Sequence, residues 1–521
     1  MHEKIRELAR RRLHRGDAPR FLDELRGRAP DEPCAGTGLP EAWNRGISSF
    51  YELLGPAGAA SACSGTACCV ARGELASRPG NPSAASPGRP AAGPPDTAAN
   101  VSPGRPAAGP PDTAANPSPG RPARCLGRCY EGPAAPALSP RPIPRSALVP
   151  SPVVLRHLVP GPAPLATMLA DYDLPQGDGV LAAVEAAGLR GRGGAAYPTA
   201  AKWKVARDTD ALDRVVVANG DEGDPGAYVD RLLLEDAPHS VLAGMLACAR
   251  AIGASRGIVY VRAEYPVAAA RMRTAIEEAA VRGFLEGLEV RVLVGAGSYV
   301  AGEETALLRS IEGLRAEPSP KPPYPAVRGL YGLPTVVQNV ETLSVVPHLA
   351  RTFAAGVPRR IDTKAICVSG AVARPGVVEV ELGTPLRRVL DEGAGGPRGG
   401  TRWKMALVGG PLGRVVAARD FDVAMSFDAL PGMGHAGVVV LDESVSARAL
   451  AEHLFEFARA ESCGTCAPCR IGTSLLASQR TRAGLERLLA TIGDGSLCGF
   501  GQGVPRPVLD LLAAFGDEVL A

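Results

Sequence analysis

No charge of either sign dominates this chain, aromatic residues make up only 4% of it, and no uninterrupted apolar run is long enough to cross a bilayer. Lys+Arg number 57 against Asp+Glu 54, so no long-range field argues for nucleic acid or an anionic membrane as partner. Direct membrane insertion is not expected. The opening residues, MHEKIRELARRRLHRG, carry charges where an export signal needs an apolar core, which points to a cytoplasmic protein. Thiols of such a protein stay reduced. Twelve cysteines, unevenly spread, therefore read as metal or redox-cluster ligands rather than as a disulfide framework.

At 521 residues the chain is too long for one core, and three or four domains are expected. Residues 1–55 read as helical: EKIRELARRRL and PRFLDELRGR are amphipathic but heavily charged, and EAWNRGISSFYELLG supplies the few aromatics for a small core. Cys63 and Cys68 in ACSGTACCV, with Cys125 and Cys129 in RCLGRCYEG, then place two thiolates on each of two loops. That arrangement suits a [2Fe-2S] unit, with Cys69 as an alternative ligand. Between the loops, SPGRPAAGPPDTAAN recurs from Ser86 and Ser102 and in truncated form from Ser118. The repeat lacks the periodicity for a core and reads as an insertion over 79–123, cheap in loop-closure entropy if one cluster holds both ends. This first unit spans 1–145, and the Pro-rich segment 146–164 reads as a linker.

From about 165 strand and helix alternate. RVVVAN, GIVYV and EVRVLV read as parallel strands, with LLLEDAPHSVLAGMLACARAIG and PVAAARMRTAIEEAAVRGFLEG as single crossover helices. Each strand is followed by a loop of interest, NGDEGDPG, AEYP and GAGSYVAGEE, and open parallel sheets bind ligands beyond the carboxyl ends of their strands. This α/β domain covers 165–355. Residues 360–440 read as a small α+β domain without chemistry of its own, and 444–521 as helical. Inside the helical part lie Cys463, Cys466 and Cys469 in ESCGTCAPCRIGT and a distant Cys498 in SLCGFGQG. Three thiols at two-residue intervals from one loop plus a fourth from elsewhere favour a [4Fe-4S] cluster over a zinc site built on two knuckles. Cys34, Cys248 and Cys367 stand alone, and Cys248, in an apolar helix, reads as packing.

One further stretch, GLRGRGGAAYPTAAKW at 188–203, combines four glycines with Arg190, Arg192 and Lys202, so the backbone can pass close to an anionic group that cations also face. Taken together, this loop, NGDEGDPGAYVDR, GAGSYVAGEETALLRSIEG and ESCGTCAPCRIGT resemble one family over about residues 165–521. That family is the NADH-binding flavoprotein subunit of respiratory complex I and its relatives in NAD-linked formate dehydrogenases and NAD(P)-linked hydrogenases. CSGTAC and CLGRC resemble the [2Fe-2S] subunit that accompanies it, here fused. The resemblance implies an α/β multidomain fold: a thioredoxin-like N-terminal domain, a Rossmann-like parallel-sheet FMN/NADH domain, a small ubiquitin-like (SLBB-type) α+β domain and a C-terminal helical bundle carrying [4Fe-4S].

The resemblance also implies roles. Gly191, Arg192, Gly193, Gly194 and Lys202 hold the FMN phosphate and ribityl groups; Asn219, Asp221 and Glu222, with Asn339 and Thr342 of PTVVQNVETL, contact the cofactor. Tyr299, Gly302, Glu303 and Glu304 line the nicotinamide side, and Tyr299, Glu303 and Glu304 are the candidates nearest the chemistry. Asp224 stands near the ribose, where a carboxylate disfavours NADP. Departures from the family are Gln338 for an asparagine, Ala301 for a cysteine and Val205 for a stacking phenylalanine, with Tyr197 and Tyr324 as alternative stacking rings. The implied activity is that of a diaphorase exchanging hydride between NAD(H) and FMN and single electrons with iron–sulfur clusters. The style of DEGDPGAYVDR and SLCGFGQ favours a molybdenum-pterin formate dehydrogenase subunit as partner, then hydrogenase, then complex I subunits. The competing expectation, an electron-transfer scaffold that no longer binds nicotinamide, is disfavoured by the presence of Glu303, Glu304 and Asp224.

Overall fold

The structure is a computed structural model that describes Leu75, Cys129 and residues 142–520. Cys63, Cys68 and Cys125, the helical lead-in, the repeat insertion and the expected thioredoxin-like domain lie outside the described residues.

A parallel four-stranded sheet forms the first half, in the order β4–β3–β2–β5, with β2 at Val215–Gly220, β3 at Arg256–Val261, β4 at Glu289–Val294 and β5 at Thr335–Asn339. The central strand β2 and its neighbour β3 are buried on both faces, as parallel strands covered by helices are, while the edge strand β4 exposes Glu289. Val216, Ala218, Val259, Val261 and Val336 face one core, and Val215, Val217, Ile258, Leu293 and Val337 the other, in the period of two that a strand imposes. Helices α1 (Gly177–Ala186), α4 (Pro238–Ile252) and α7 (Val340–Ala354) pack together on the first core. The chain moves from β2 outward to β3 and β4, then returns to place β5 on the opposite side of β2. The carboxyl ends of β2 and β5 thus adjoin a topological switch point, where such sheets open a crevice.

Two expectations require correction. The segment 232–253 is not one helix: α3 (Val229–Asp236) and α4 meet at a bend of 98°. Ala237 stands at φ −136°, ψ 46°, because the ring of Pro238 keeps the preceding residue out of helical geometry and supplies no N–H to continue the ladder. Nor is 146–164 a free linker. Arg145–Ala147 forms β1, the edge strand of the second sheet, and the amides of Val153, Val154 and Leu155 donate to the buried carboxylate of Glu379 at 2.7, 3.0 and 2.7 Å. A Pro-rich composition hides such an anchor, since the ordering comes from a carboxylate more than two hundred residues away.

The second sheet is mixed and six-stranded, β1–β7–β6–β10–β8–β9, with β6 at Thr363–Gly370, β7 at Gly376–Glu381, β8 at Trp403–Val408, β9 at Arg414–Ala417 and β10 at Gly437–Asp442. Helices α8 (Ala447–Glu461), α9 (Ala467–Leu475), α10 (Arg482–Gly495), α11 (Gly499–Gly503) and α12 (Pro505–Leu520) complete the chain. Among the described residues no single helix is long and apolar enough to cross a membrane, although the bent α3–α4 pair passes by length and composition. Those two helices are mostly buried core.

Candidate functional site

Residues 188–203 fold back on themselves at the switch point. Gly191 N donates to Tyr197 O at 2.8 Å and Thr199 N to Leu189 O at 2.9 Å, closing a turn in which Gly194 has φ +122° and Ala196 φ +49°. The turn lies against the β5–α7 junction: Arg192 N donates to Thr342 Oγ1 at 2.9 Å, and a Cβ on Gly193 would fall 2.9 Å from Asn339 Cβ. Asn339 in turn caps α7, accepting from Thr342 N at 3.2 Å, and donates to Asp230 at 2.6 Å. The strand end and the helix start therefore fix the loop.

The cations of this loop are not free to face an anion alone, as the sequence suggested, because each already has an acidic partner. Arg192 is buried and donates to Glu341 at 2.9 Å, Lys202 to Glu304 at 3.1 Å, and Arg190 to Asp428 at 3.2 Å. Burial alone would raise the Glu341 carboxyl, but Lys364 and Arg192 hold it below the usual range. Glu304 is likewise held low against burial by Lys202 and Lys321.

Around the end of β2, Asn219 Nδ2 donates to Gly302 O at 2.9 Å and Asn219 Oδ1 accepts from Asp221 N at 3.1 Å. Burial pushes Asp221 up to about 7 despite Arg262. Glu222 is buried, accepts from the amides of Asp230 and Arg231 at 3.1 Å each, and is also raised by burial. Gly223 passes so close to Tyr299 that a Cβ would lie 2.9 Å from its ring, and the Tyr299 hydroxyl donates to Asp224. Glu303 caps helix α6 (Glu304–Ile311), accepting from Thr305 N at 2.9 Å and Ala306 N at 3.0 Å, and accepts from Lys321 at 2.7 Å. Its carboxylate is thus engaged in holding α6, unlike that of Asp224. Tyr197 and Tyr324 are 51% and 56% exposed, so both rings can receive a stacked base, whereas Ala301 is buried.

The Tyr299 ring also meets the cysteine region, edge-on to Phe457 at 5.2 Å and to Phe500 at 5.6 Å. Cys463 and Cys469 are buried, Cys466 and Cys498 half-buried. Cys466 precedes α9, and Cys498 precedes α11 and accepts from the amides of Phe500 and Gly501. Burial pushes the Cys498 thiol up, and these amides work against it by favouring the thiolate form that a cluster needs. Among the described residues no three His, Cys, Asp or Glu side chains stand close enough to share a single ion. Burial pushes the Cys469 thiol up to about 11, and each of the other three thiols raises it further, so the four lie in one field. Cys129 is buried, as is Cys367, whose thiol burial and Glu222 push up.

Both implied cofactors fit these residues. At the glycine loop Arg192 Nε, Thr199 Oγ1 and Gln338 Oε1 are buried without a protein partner, a cost that a ligand rich in acceptors and donors removes. The four cysteines offer the donor set of an iron–sulfur cube. Sequence reasoning missed Asp230, Glu341, Lys364 and His435. The glycine-flanked GMGHAG was the one local signal for His435, and it lay in a domain read as having no chemistry.

Comparison with known proteins assigns three stretches of the chain to described families. Residues 184–348 match the Nuo51 FMN-binding domain, 365–416 the SLBB domain and 449–521 the NADH-ubiquinone oxidoreductase-F iron–sulfur binding region. The NADP-reducing hydrogenase subunit HndC of Solidesulfovibrio fructosivorans is 40% identical over 363 residues, 64% of this chain and 74% of that protein. The mitochondrial NADH-ubiquinone oxidoreductase 51 kDa subunit of Neurospora crassa is 36% identical over 378 residues, covering 66% of this chain and 77% of the relative. A chain in the crystal structure of an air-oxidized NAD+-reducing [NiFe]-hydrogenase superposes with a TM-score of 0.77 at 30% identity, over 96% of this chain and 93% of that one.

Proposed function

The chain is an oxidoreductase belonging to the family of FMN- and [4Fe-4S]-binding, NADH-oxidising flavoprotein subunits of complex I and of NAD(P)-linked hydrogenases, and from that membership we propose that it is a diaphorase subunit exchanging hydride between NAD(H) and FMN. The observation that carries the reading is the meeting of the loop after β2, the loop after β4 and the cysteine region around Tyr299, with the glycine loop seated on the β5–α7 junction.

Bound FMN supplies the conversion between two-electron nicotinamide chemistry and one-electron cluster chemistry. The chain's own residues bind and aim. Gly191, Gly193 and Gly194 let the backbone approach the flavin phosphate and ribityl groups, with Arg192 Nε, Thr199 and Gln338 as the buried polar atoms that await partners. Asn219, Asp221 and Glu222 present polar atoms at the end of β2. Tyr299 and Asp224 form the nicotinamide side, and Glu304, kept ionised between Lys202 and Lys321, accepts from nucleotide donors. Tyr197 or Tyr324 stacks the adenine. No side chain need act as nucleophile, since catalysis here is alignment of rings and tuning of potentials. Cys463, Cys466, Cys469 and Cys498 hold the [4Fe-4S] cluster, and a [2Fe-2S] cluster on Cys63, Cys68, Cys125 and Cys129 belongs to the same reading.

Two redox partners compete. Motif style favours a molybdenum-pterin formate dehydrogenase subunit, whereas the likeness over nearly the whole chain to a hydrogenase chain favours a nickel–iron subunit. Identification of the co-purifying subunit by mass spectrometry separates them. For the activity itself, FMN-reconstituted protein is expected to reduce ferricyanide with NADH and to give two iron–sulfur EPR signals on reduction. Absence of turnover with clusters intact overturns the diaphorase in favour of an electron-transfer scaffold.

A further inference from the structure

The six-stranded domain inserts an imidazole among the carboxyl groups of the site built by the four-stranded one. His435 lies on the turn between β9 and β10, where Gly432, Gly434 and Ala436 take φ of +95°, +57° and +61°. These left-handed residues bring the turn against the loop after β2: a Cβ on Gly434 would lie 3.6 Å from Asp224 Oδ2, and one on Gly410 3.1 Å from Asp224 Cγ. His435 Nδ1 stands 3.1 Å from Asp224 Oδ2, and its Nε2 stands 3.8 Å from Asp230 Oδ2. The backbone carbonyl of His435 accepts from Lys364 Nζ at 3.2 Å, so the residue is held at both ends. Asp224 is the carboxylate to which the Tyr299 hydroxyl donates.

We propose that His435 is a positioning residue for nicotinamide binding: its Nδ1–H holds the Asp224 carboxylate, and through it the Tyr299 hydroxyl, in the arrangement that receives the dinucleotide. The inference rests on the reading of Asp224 and Tyr299 as the nicotinamide side. Its physical basis is a crowd of carboxyl groups around one imidazole. Asp224, Glu222 and Asp221 on the loop after β2 and Asp230 on α3 all face the ring, while Lys364 from β6, which reaches the His435 carbonyl, is already paired with Glu341. Without the imidazolium Asp224 loses its Nδ1–H donor and is released to water or to another partner, while Asp230, whose carboxyl burial and Glu222 push up to about 8, takes up a proton. The Tyr299 hydroxyl then loses its acceptor, although its ring stays packed on Phe457 and Phe500. Although burial opposes the charge, the hydrogen bond to Asp224 and the surrounding carboxylates keep the ring protonated up to about pH 9. Positioning therefore holds below that pH and weakens as pH rises through it.

The test uses the full chain with FMN and clusters in place. NAD+ affinity is measured by calorimetry and NADH–ferricyanide kinetics from pH 6 to 10, for wild type, His435→Ala, His435→Asn and His435→Gln. Asparagine carries its amide nitrogen where Nδ1 stands, glutamine nearer to Nε2. In His435→Ala both the KM for NADH and the NAD+ dissociation constant are expected to rise about tenfold, the loss of one hydrogen bond between charged groups, with FMN content and the EPR signals retained. His435→Asn recovers most of that loss and His435→Gln does not, and the fall of kcat/KM above about pH 9 disappears in His435→Asn. Unchanged affinity in His435→Ala, or equal recovery by both amides, overturns the proposal. Should His435→Ala not fold, an alkaline limb retained in His435→Asn overturns it instead. Wild-type protein without turnover sinks the diaphorase reading, while turnover with unaffected variants sinks only the role of His435.

Discussion

Glu341 shows how one side chain ties a cofactor loop to a neighbouring domain. It sits between Asn339 and Thr342, which face the glycine loop, yet its carboxylate accepts from Arg192 at 2.9 Å and from Lys364 of the second sheet, all three fully buried. Removing it strands two cations in the core, which costs about 3–5 kcal/mol where the pair itself contributes far less. Glu341→Ala is therefore expected to lower the denaturation midpoint sharply and to loosen FMN. A variant as stable as wild type in urea titration excludes Glu341 as the tie. Sequence reasoning picked out Asn339 and Thr342 from PTVVQNVETL and passed over the glutamate between them, because residue type cannot say which way a side chain points at a helix start. His435 was invisible for a different reason: its partner Asp224 is 211 residues distant, and no local pattern encodes that pairing. Asn219, Asp224, Tyr299 and Gly302 could be grouped from sequence because their loops follow β2 and β4, which a parallel sheet must bring to one edge, whereas the glycine loop follows helix α1 and was grouped with them by resemblance.

Among elements, legibility followed composition rather than burial. Strands β2, β3 and β4 could be read from their β-branched runs although β4 is a partly exposed edge, whereas β5, TVVQN, looks polar although it is wholly buried and hides in the motif that follows it. In the mixed sheet β1, β7, β9 and β10 were missed, since short strands among glycine and proline turns carry little periodic signal. Helix α4 was recognised but not its sharp start, although Pro238 was in plain view. Its packing rests on Gly244, where an added Cβ would lie 2.0 Å from the Leu343 carbonyl oxygen of α7. Replacing a helical glycine by alanine gains about 1 kcal/mol of propensity, but here the methyl must drive two backbones apart, at about 1–3 kcal/mol or more. Gly244→Ala is expected to lower the thermal midpoint, and Gly244→Val to lower it further. A midpoint raised by the alanine contradicts the close approach of α4 and α7.

Across the whole molecule three units converge on one residue. Tyr299 follows β4 of the parallel sheet, hydrogen-bonds Asp224 where the mixed-sheet domain supplies His435, and packs its ring on Phe457 and Phe500 of the helical region. Phe500 donates its amide to Cys498, the proposed fourth cluster ligand. Bidentate pairing of Arg414 with Asp510, at 2.7 and 2.9 Å, and of Lys404 with Glu518, at 2.8 and 2.9 Å, clamps α12 to the mixed sheet and so fixes the distance between the cysteine region and the nucleotide loops. Protein contacts alone, however, transmit position and not electrons, because none of the side chains between Asp224 and Cys498 accepts a hydride. Two-electron donation by NADH must then reach the cluster only when FMN is in place. Protein stripped of FMN is expected to give the [4Fe-4S] EPR signal with dithionite but none with NADH, and FMN added back should restore the NADH response. Cluster reduction by NADH without FMN would show that a second route crosses the Tyr299 junction, and the convergence of the three units would then need an explanation other than flavin-mediated exchange.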